Sequence, residues 1–216
     1  MSFAPNDEGP LIYVITDGTA TSETFPAAAQ RISRQLRAAV DEKVSMFQIR
    51  EKQLSGRHLF ELSAACSRIT RGSNTKLLIN DRVDIAIGAG ADGVHFTSHS
   101  IPTEAVRKAF GNELLIGRSI HEIKEAEASS KDGSDFVVLG PVFETPGKSR
   151  SVGIDDLKRL CLKLSPFPVI GLGGIDSSTC TDVILAGAAG VAGIRNFASP
   201  DCIRSLRKSL QNVASK

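Results

Sequence analysis

In 216 residues the chain carries 26 Lys or Arg against 24 Asp or Glu, which excludes the clustered basic excess of a nucleic-acid footprint. No apolar stretch approaches the roughly 20 residues that a transmembrane helix needs. The length suits one α/β barrel, and no linker or low-complexity tract divides it.

Residues 1–9 are polar and lack a basic segment followed by an apolar one, so they are expected as a flexible N-terminal extension of a cytoplasmic protein. Short runs rich in β-branched and aliphatic residues then recur at 11–16, 46–50, 76–79, 93–96, 114–119, 136–139, 168–171 and 190–194. Between them lie helical patterns at 25–40, 55–70, 83–88, 103–110, 123–129, 154–164, 178–185 and 200–210. Apolar strands alternating with helices imply a parallel sheet covered on both faces, and eight such units close into a single-domain (β/α)8 TIM barrel over 1–216. A doubly wound open sheet is the alternative. Residues 145–153, rich in Gly, Ser and charge, read as a mobile lid. The four cysteines, Cys66, Cys161, Cys180 and Cys202, have no disulfide or zinc spacing and read as buried thiols.

In such barrels the chemistry sits at the C-terminal ends of the strands. A strand running through Gln48, Arg50 and Lys52 would put three donors on one face, a pattern that suits an anion. Asp81, after the third strand and beside Asn80, is either a Mg2+ ligand or a helix cap. Gly173 and Gly174 after strand seven, with Arg195 after strand eight, match the place where barrels bind phosphate through backbone N–H groups. Ser119 and His121, two apart at the end of strand five, can face one site, and His121 is a proton carrier or a structural histidine. His95 and His99 read as packing residues, and His58, on a helix, carries no functional reading.

The segments Tyr13 to Asp17, Gln48 to Lys52, Ile79 to Arg82, Gly93 to His95, Gly117 to His121 and Leu139 to Phe143, with Thr145, Lys148 and Gly173 to Ile175, resemble the thiamine-phosphate synthase and thiazole tautomerase family. The resemblance spans roughly residues 10 to 210 and implies the same barrel acting in thiamine biosynthesis. For a synthase it implies that hydroxymethylpyrimidine diphosphate loses pyrophosphate and that the cation is captured by the nitrogen of a thiazole phosphate, with Mg2+ assisting. Carried over by position, Gln48, Arg50, Lys52, Asn80 and Lys148 would hold the diphosphate, Asp81 the metal, Ser119 and Thr145 the reacting substrates, and Gly174 the thiazole phosphate. The catalytic set so implied is His121, Ser119 and Lys148. Two positions depart from the synthase pattern: Ser100 stands where a second Mg2+-binding aspartate belongs, and Arg195 where a small serine is usual.

Those departures resemble the tautomerase branch, which isomerises a thiazole carboxylate phosphate through a histidine at the position of His121 and needs no cofactor. The retained diphosphate residues put the synthase first, the tautomerase second and a non-catalytic regulator binding thiazole or thiamine phosphates third. The partners implied are small phosphorylated pyrimidines and thiazoles, without nucleic acid or membrane. Association as a homodimer is left open.

Overall fold

In the computed structural model, which describes residues 9–147 and 150–214, eight parallel strands close into a barrel in the order of the chain. They are β1 (Leu11–Ile15), β2 (Met46–Ile49), β3 (Lys76–Asn80), β4 (Gly93–Phe96), β5 (Leu115–Ile120), β6 (Phe136–Leu139), β7 (Val169–Leu172) and β8 (Gly190–Gly193). The helices are α1 (Phe25–Asp41), α2 (Gly56–Thr70), α3 (Val83–Ala89), α4 (Thr103–Phe110), α5 (Ile123–Lys131), α6 (Ile154–Leu164), α7 (Cys180–Leu185) and α8 (Pro200–Ala214). The open-sheet alternative is excluded by the pairing of β8 with β1, Leu11 opposite Gly190 and Val14 opposite Gly193.

The two-residue period of the strands divides their side chains between two cores. Ile12, Val14, Phe47, Ile49, Leu77, Ile79, Val94 and Phe96 point outward and join the apolar faces of the helices. Leu11, Tyr13, Ile15, Met46, Leu78, Phe136, Val138, Ile170 and Ala192 fill the barrel itself. Gly117 belongs to the inward phase, and a Cβ there would lie 2.2 Å from the Phe136 ring and 2.9 Å from His95 Nδ1. A side chain at 117 would therefore push apart the two rings that pack across the interior.

Helix starts are set locally. Pro26 opens α1, and the Ser55 hydroxyl accepts from His58 N at 3.2 Å to cap α2. At α5 a capping box joins Glu122 and Glu125. The Glu125 carboxylate also accepts from His121 N at 2.7 Å, so the cap that begins the helix also fixes the backbone of His121.

Three expectations are corrected. Strand β2 stops at Ile49, and Lys52 lies in an exposed turn, so strand alternation does not carry Lys52 to the face of Gln48. Strand β8 stops at Gly193, and Arg195–Phe197 form a 3-10 turn. Cys202 is exposed, unlike the other three cysteines. Residues 1–8 and the lid residues 148–149 lie outside the described residues.

Candidate active site

The inward phase becomes polar toward the C-terminal ends of β2 to β5, and Tyr13, at the middle of β1, faces these groups. There, six side chains from five strands form one unbroken chain of hydrogen bonds. Asn80 Nδ2 donates to Asp81 Oδ2 at 2.6 Å, and Gln48 Nε2 donates to Asn80 Oδ1 at 3.0 Å. The Tyr13 hydroxyl donates to Gln48 Oε1 at 3.0 Å and lies 3.2 Å from His95 Nδ1. His95 Nε2 is 2.8 Å from Ser119 Oγ. Tyr13, Gln48, Asn80 and His95 are all buried, so each of these contacts satisfies a group that water does not reach.

Asp81 ends the chain at φ +61°, with its backbone N–H held by the His95 carbonyl at 3.1 Å. The Ser100 hydroxyl donates to Asp81 Oδ1, and Ser100 Oγ accepts from Thr97 N at 2.7 Å. Both carboxylate oxygens of Asp81 are thus engaged by protein donors. The helix-cap reading of Asp81 fails, because α3 begins without a side-chain cap. Among the described residues no three imidazole, thiol or carboxylate groups gather as a metal cluster. Asp81 and Ser100 are nevertheless hard oxygen donors in contact. That set fits Mg2+, which takes few protein ligands and completes its shell with water and phosphate oxygens.

Arg50 follows β2. Its N–H donates to Thr16 Oγ1 at 2.8 Å, and its guanidinium reaches alongside Gly18. Glu51, a buried carboxylate that the sequence reading left aside, accepts from Gly18 N at 3.2 Å and Ala20 N at 2.8 Å. It fastens the loop between β1 and α1 against Arg50. Arg118 points outward to Thr103 and Asp132 and takes no part in the site.

The other half of the mouth is a cavity of about 430 Å³ lined by His121, Gly140, Thr145, Gly173, Gly174 and Arg195, among others. Thr145 Oγ1 donates to the Phe143 carbonyl at 3.1 Å. His121 Nδ1 is 2.8 Å from the Gly140 carbonyl, which can only accept, so Nδ1 carries the proton and Nε2 is the ring's remaining nitrogen. Gln48, Asn80, Asp81 and Ser119 therefore share one chain, while Thr145, Gly173, Gly174, His121 and Arg195 share the cavity. Lys148 lies outside the described residues. His95 packs against Tyr13 and Phe136, as read from the sequence, and is in addition a member of the chain, as is Tyr13. The signal was their inward phase on β4 and β1.

Burial pushes the His95 imidazole down to about 4, with the nearby Arg50 charge lowering it further and Asp81 opposing. On acidification the unfolded chain, with histidine near 6.5, takes up this proton before the folded one does. His95 thus leaves stability intact above pH 6.5 and removes it as pH falls from 6.5 toward 4, by at most about 3 kcal/mol. Urea titrations should show wild type losing stability faster than His95→Gln across that window. Parallel losses would refute the assignment.

A closed eight-stranded barrel whose mouth joins a buried polar chain to a glycine-lined cavity places the protein among the (β/α)8 enzymes. Comparison with known proteins narrows that class. The family model for thiamine monophosphate synthase matches residues 12–197, and the chain belongs to that family. It is 40% identical over 88% of its length to a Geobacter sulfurreducens protein named as a candidate thiamine-phosphate synthase, 88% of which is covered. It is 32% identical to the thiamine-phosphate synthase of Chloroflexus aurantiacus, over 94% of this chain and 92% of that one. The solved thiamine phosphate pyrophosphorylase of Pyrococcus furiosus superposes with a TM-score of 0.81 at 27% identity, covering 94% of this chain and 96% of that one.

Proposed function

We propose that the protein is a thiamine-phosphate synthase that joins hydroxymethylpyrimidine diphosphate to a thiazole phosphate and releases pyrophosphate. The observation that carries this reading is the pair of half-sites meeting at β5: Arg50, Asp81 and the polar chain on one side, the glycine-lined cavity on the other. A condensation of two phosphorylated substrates needs two such places side by side, and both open at the C-terminal ends of the same barrel's strands.

Arg50, Lys52 and Lys148 hold the diphosphate, with Gln48 and Asn80 beside it. The bond between the pyrimidine methylene carbon and the diphosphate oxygen breaks, and its electron pair leaves with pyrophosphate. Fixed cations favour that departure because they are oriented before charge develops. The thiazole nitrogen then donates its lone pair to the methylene carbon, and Gly173, Gly174 and Arg195 hold the thiazole phosphate in place. Asp81 with Ser100 would hold Mg2+, which when bound neutralises charge on the leaving pyrophosphate. The free cysteines accord with a cytoplasmic setting.

The tautomerase reading rests on His121, whose Nδ1 is held by the Gly140 carbonyl beside the cavity. The deciding experiment incubates purified protein with both synthase substrates and Mg2+, and separately with the thiazole carboxylate tautomers. Thiamine phosphate with stoichiometric pyrophosphate is expected. Interconversion of the tautomers without thiamine phosphate would replace the synthase reading with the tautomerase. Ser100→Asp adds a carboxylate beside Asp81 and should lower the Mg2+ concentration for half-maximal rate about tenfold, the scale of one charge-assisted contact. An unchanged Mg2+ requirement would remove Ser100 from the metal site.

A further inference from the structure

The chain from Asp81 to Ser119 has a direction that can be read link by link. A carboxylate only accepts, so Asp81 requires Asn80 to present its NH2, which turns the Asn80 carbonyl oxygen toward Gln48. Gln48 must then present its own NH2 to Asn80, which leaves its carbonyl oxygen facing Tyr13. The one phenol proton goes to that oxygen, so the Tyr13 oxygen is left to accept, and His95 Nδ1 must carry a hydrogen. Among the described residues the buried His95 ring bonds only to the Tyr13 and Ser119 hydroxyls and to no carboxylate, so with its one hydrogen on Nδ1 the Nε2 is bare and the Ser119 hydroxyl donates to it.

We propose that His95 is a positioning residue that, through a polarity set at Asp81, commits the Ser119 hydrogen to the protein and leaves the Ser119 oxygen as a fixed acceptor for an amine N–H on the substrate's ring. The inference rests on the synthase reading, whose pyrimidine carries an exocyclic amine. Ser119 lies on the inward phase of β5, opposite Val138, where the two half-sites meet. A serine free to rotate would accept from an amine or donate to a ring carbonyl equally well. A serine bound to Nε2 accepts only, so a pyrimidine with oxygen in place of the amine meets lone pairs with lone pairs. The same contact supports the reaction, since an acceptor on the amine N–H strengthens as positive charge spreads into the ring when pyrophosphate leaves. The geometry is already made in the protein alone, so no reorganisation of Ser119 is needed when substrate enters.

Two measurements on the full-length protein test this. In protein labelled with 15N-histidine, without substrate at neutral pH, the His95 resonances, assigned by their loss in His95→Gln, should show hydrogen on Nδ1 and none on Nε2. Hydrogen on Nε2 overturns the proposal. In Tyr13→Phe the acceptor for Nδ1–H is gone, and the ring should populate both tautomers; an unaltered tautomer there would also overturn it.

The second measurement is the dissociation constant of the aminopyrimidine diphosphate against that of its oxo analogue. Wild type should prefer the amine by roughly 100-fold or more, as sites built around a polar contact do. His95→Gln, whose Oε1 can replace the Nε2 acceptor, should keep most of that preference, and His95→Leu should narrow it about tenfold. Equal preference in wild type and His95→Leu would overturn the proposal. Because binding is read and not turnover, a protein that makes no thiamine phosphate but shows this pattern counts against the synthase reading alone.

Discussion

Replacing Arg50 with alanine is expected to lower kcat/KM for the pyrimidine diphosphate by about one to two orders of magnitude. The estimate is the loss of one charge-assisted contact, about 1.5 to 3 kcal/mol. Among the described residues no carboxylate pairs with the Arg50 guanidinium, so its charge is available to an anion at the barrel mouth. Its backbone is fixed through Thr16, and its guanidinium lies against Gly18 on a loop that Glu51 fastens. The arginine is thus preorganised, and its removal should act on the departing pyrophosphate as well as on binding, lowering kcat in addition to raising KM. Lys52→Ala, in an exposed turn, should have the smaller effect. Unchanged kinetics in both variants would remove the diphosphate assignment from this half of the mouth.

Gly174→Val should sharply impair use of the thiazole phosphate. Gly174 has φ +67°, which a β-branched residue rarely adopts, at a cost of about 1 to 3 kcal/mol. An added Cβ would also lie 2.7 Å from Phe143 Cβ and 2.9 Å from the Glu144 carbonyl, so the loop after β6 would have to move. A midpoint drop of about 5 to 10 °C follows from such strain in a chain of this size. The KM for thiazole phosphate should rise at least about 100-fold, since the Gly173–Gly174 backbone that lines the cavity would be displaced. Affinity for the pyrimidine diphosphate should stay near wild type, because Arg50 and Asp81 lie across the mouth. Loss of both substrates together would mean the barrel had been damaged as a whole.

Much of this was legible locally. The runs at 136–139 and 93–96 are strands in the structure with the same bounds, because four apolar residues between turn signals admit little else once helices flank them. Gly173 and Gly174 were placed by their position after strand seven, where barrels gather phosphate-binding backbone. Lys52 misled because alternation holds only while the backbone is a strand, and β2 ends at Ile49. His95 was legible as a packed residue but not as a bonded one, because its partners Tyr13 and Ser119 lie on other strands.

The sequence by itself determined the eight strand-helix units, the end of the barrel that carries the chemistry and most of the polar residues found there. These depend on interactions between neighbours along the chain: propensity, period and caps. Only the tertiary structure decided that Ser100 meets Asp81 across 19 positions, that Tyr13 meets His95 across 82, and that six side chains form one directed chain. Those contacts depend on strand register and on closure of β8 against β1, which bring distant residues together by backbone pairing that no local pattern encodes.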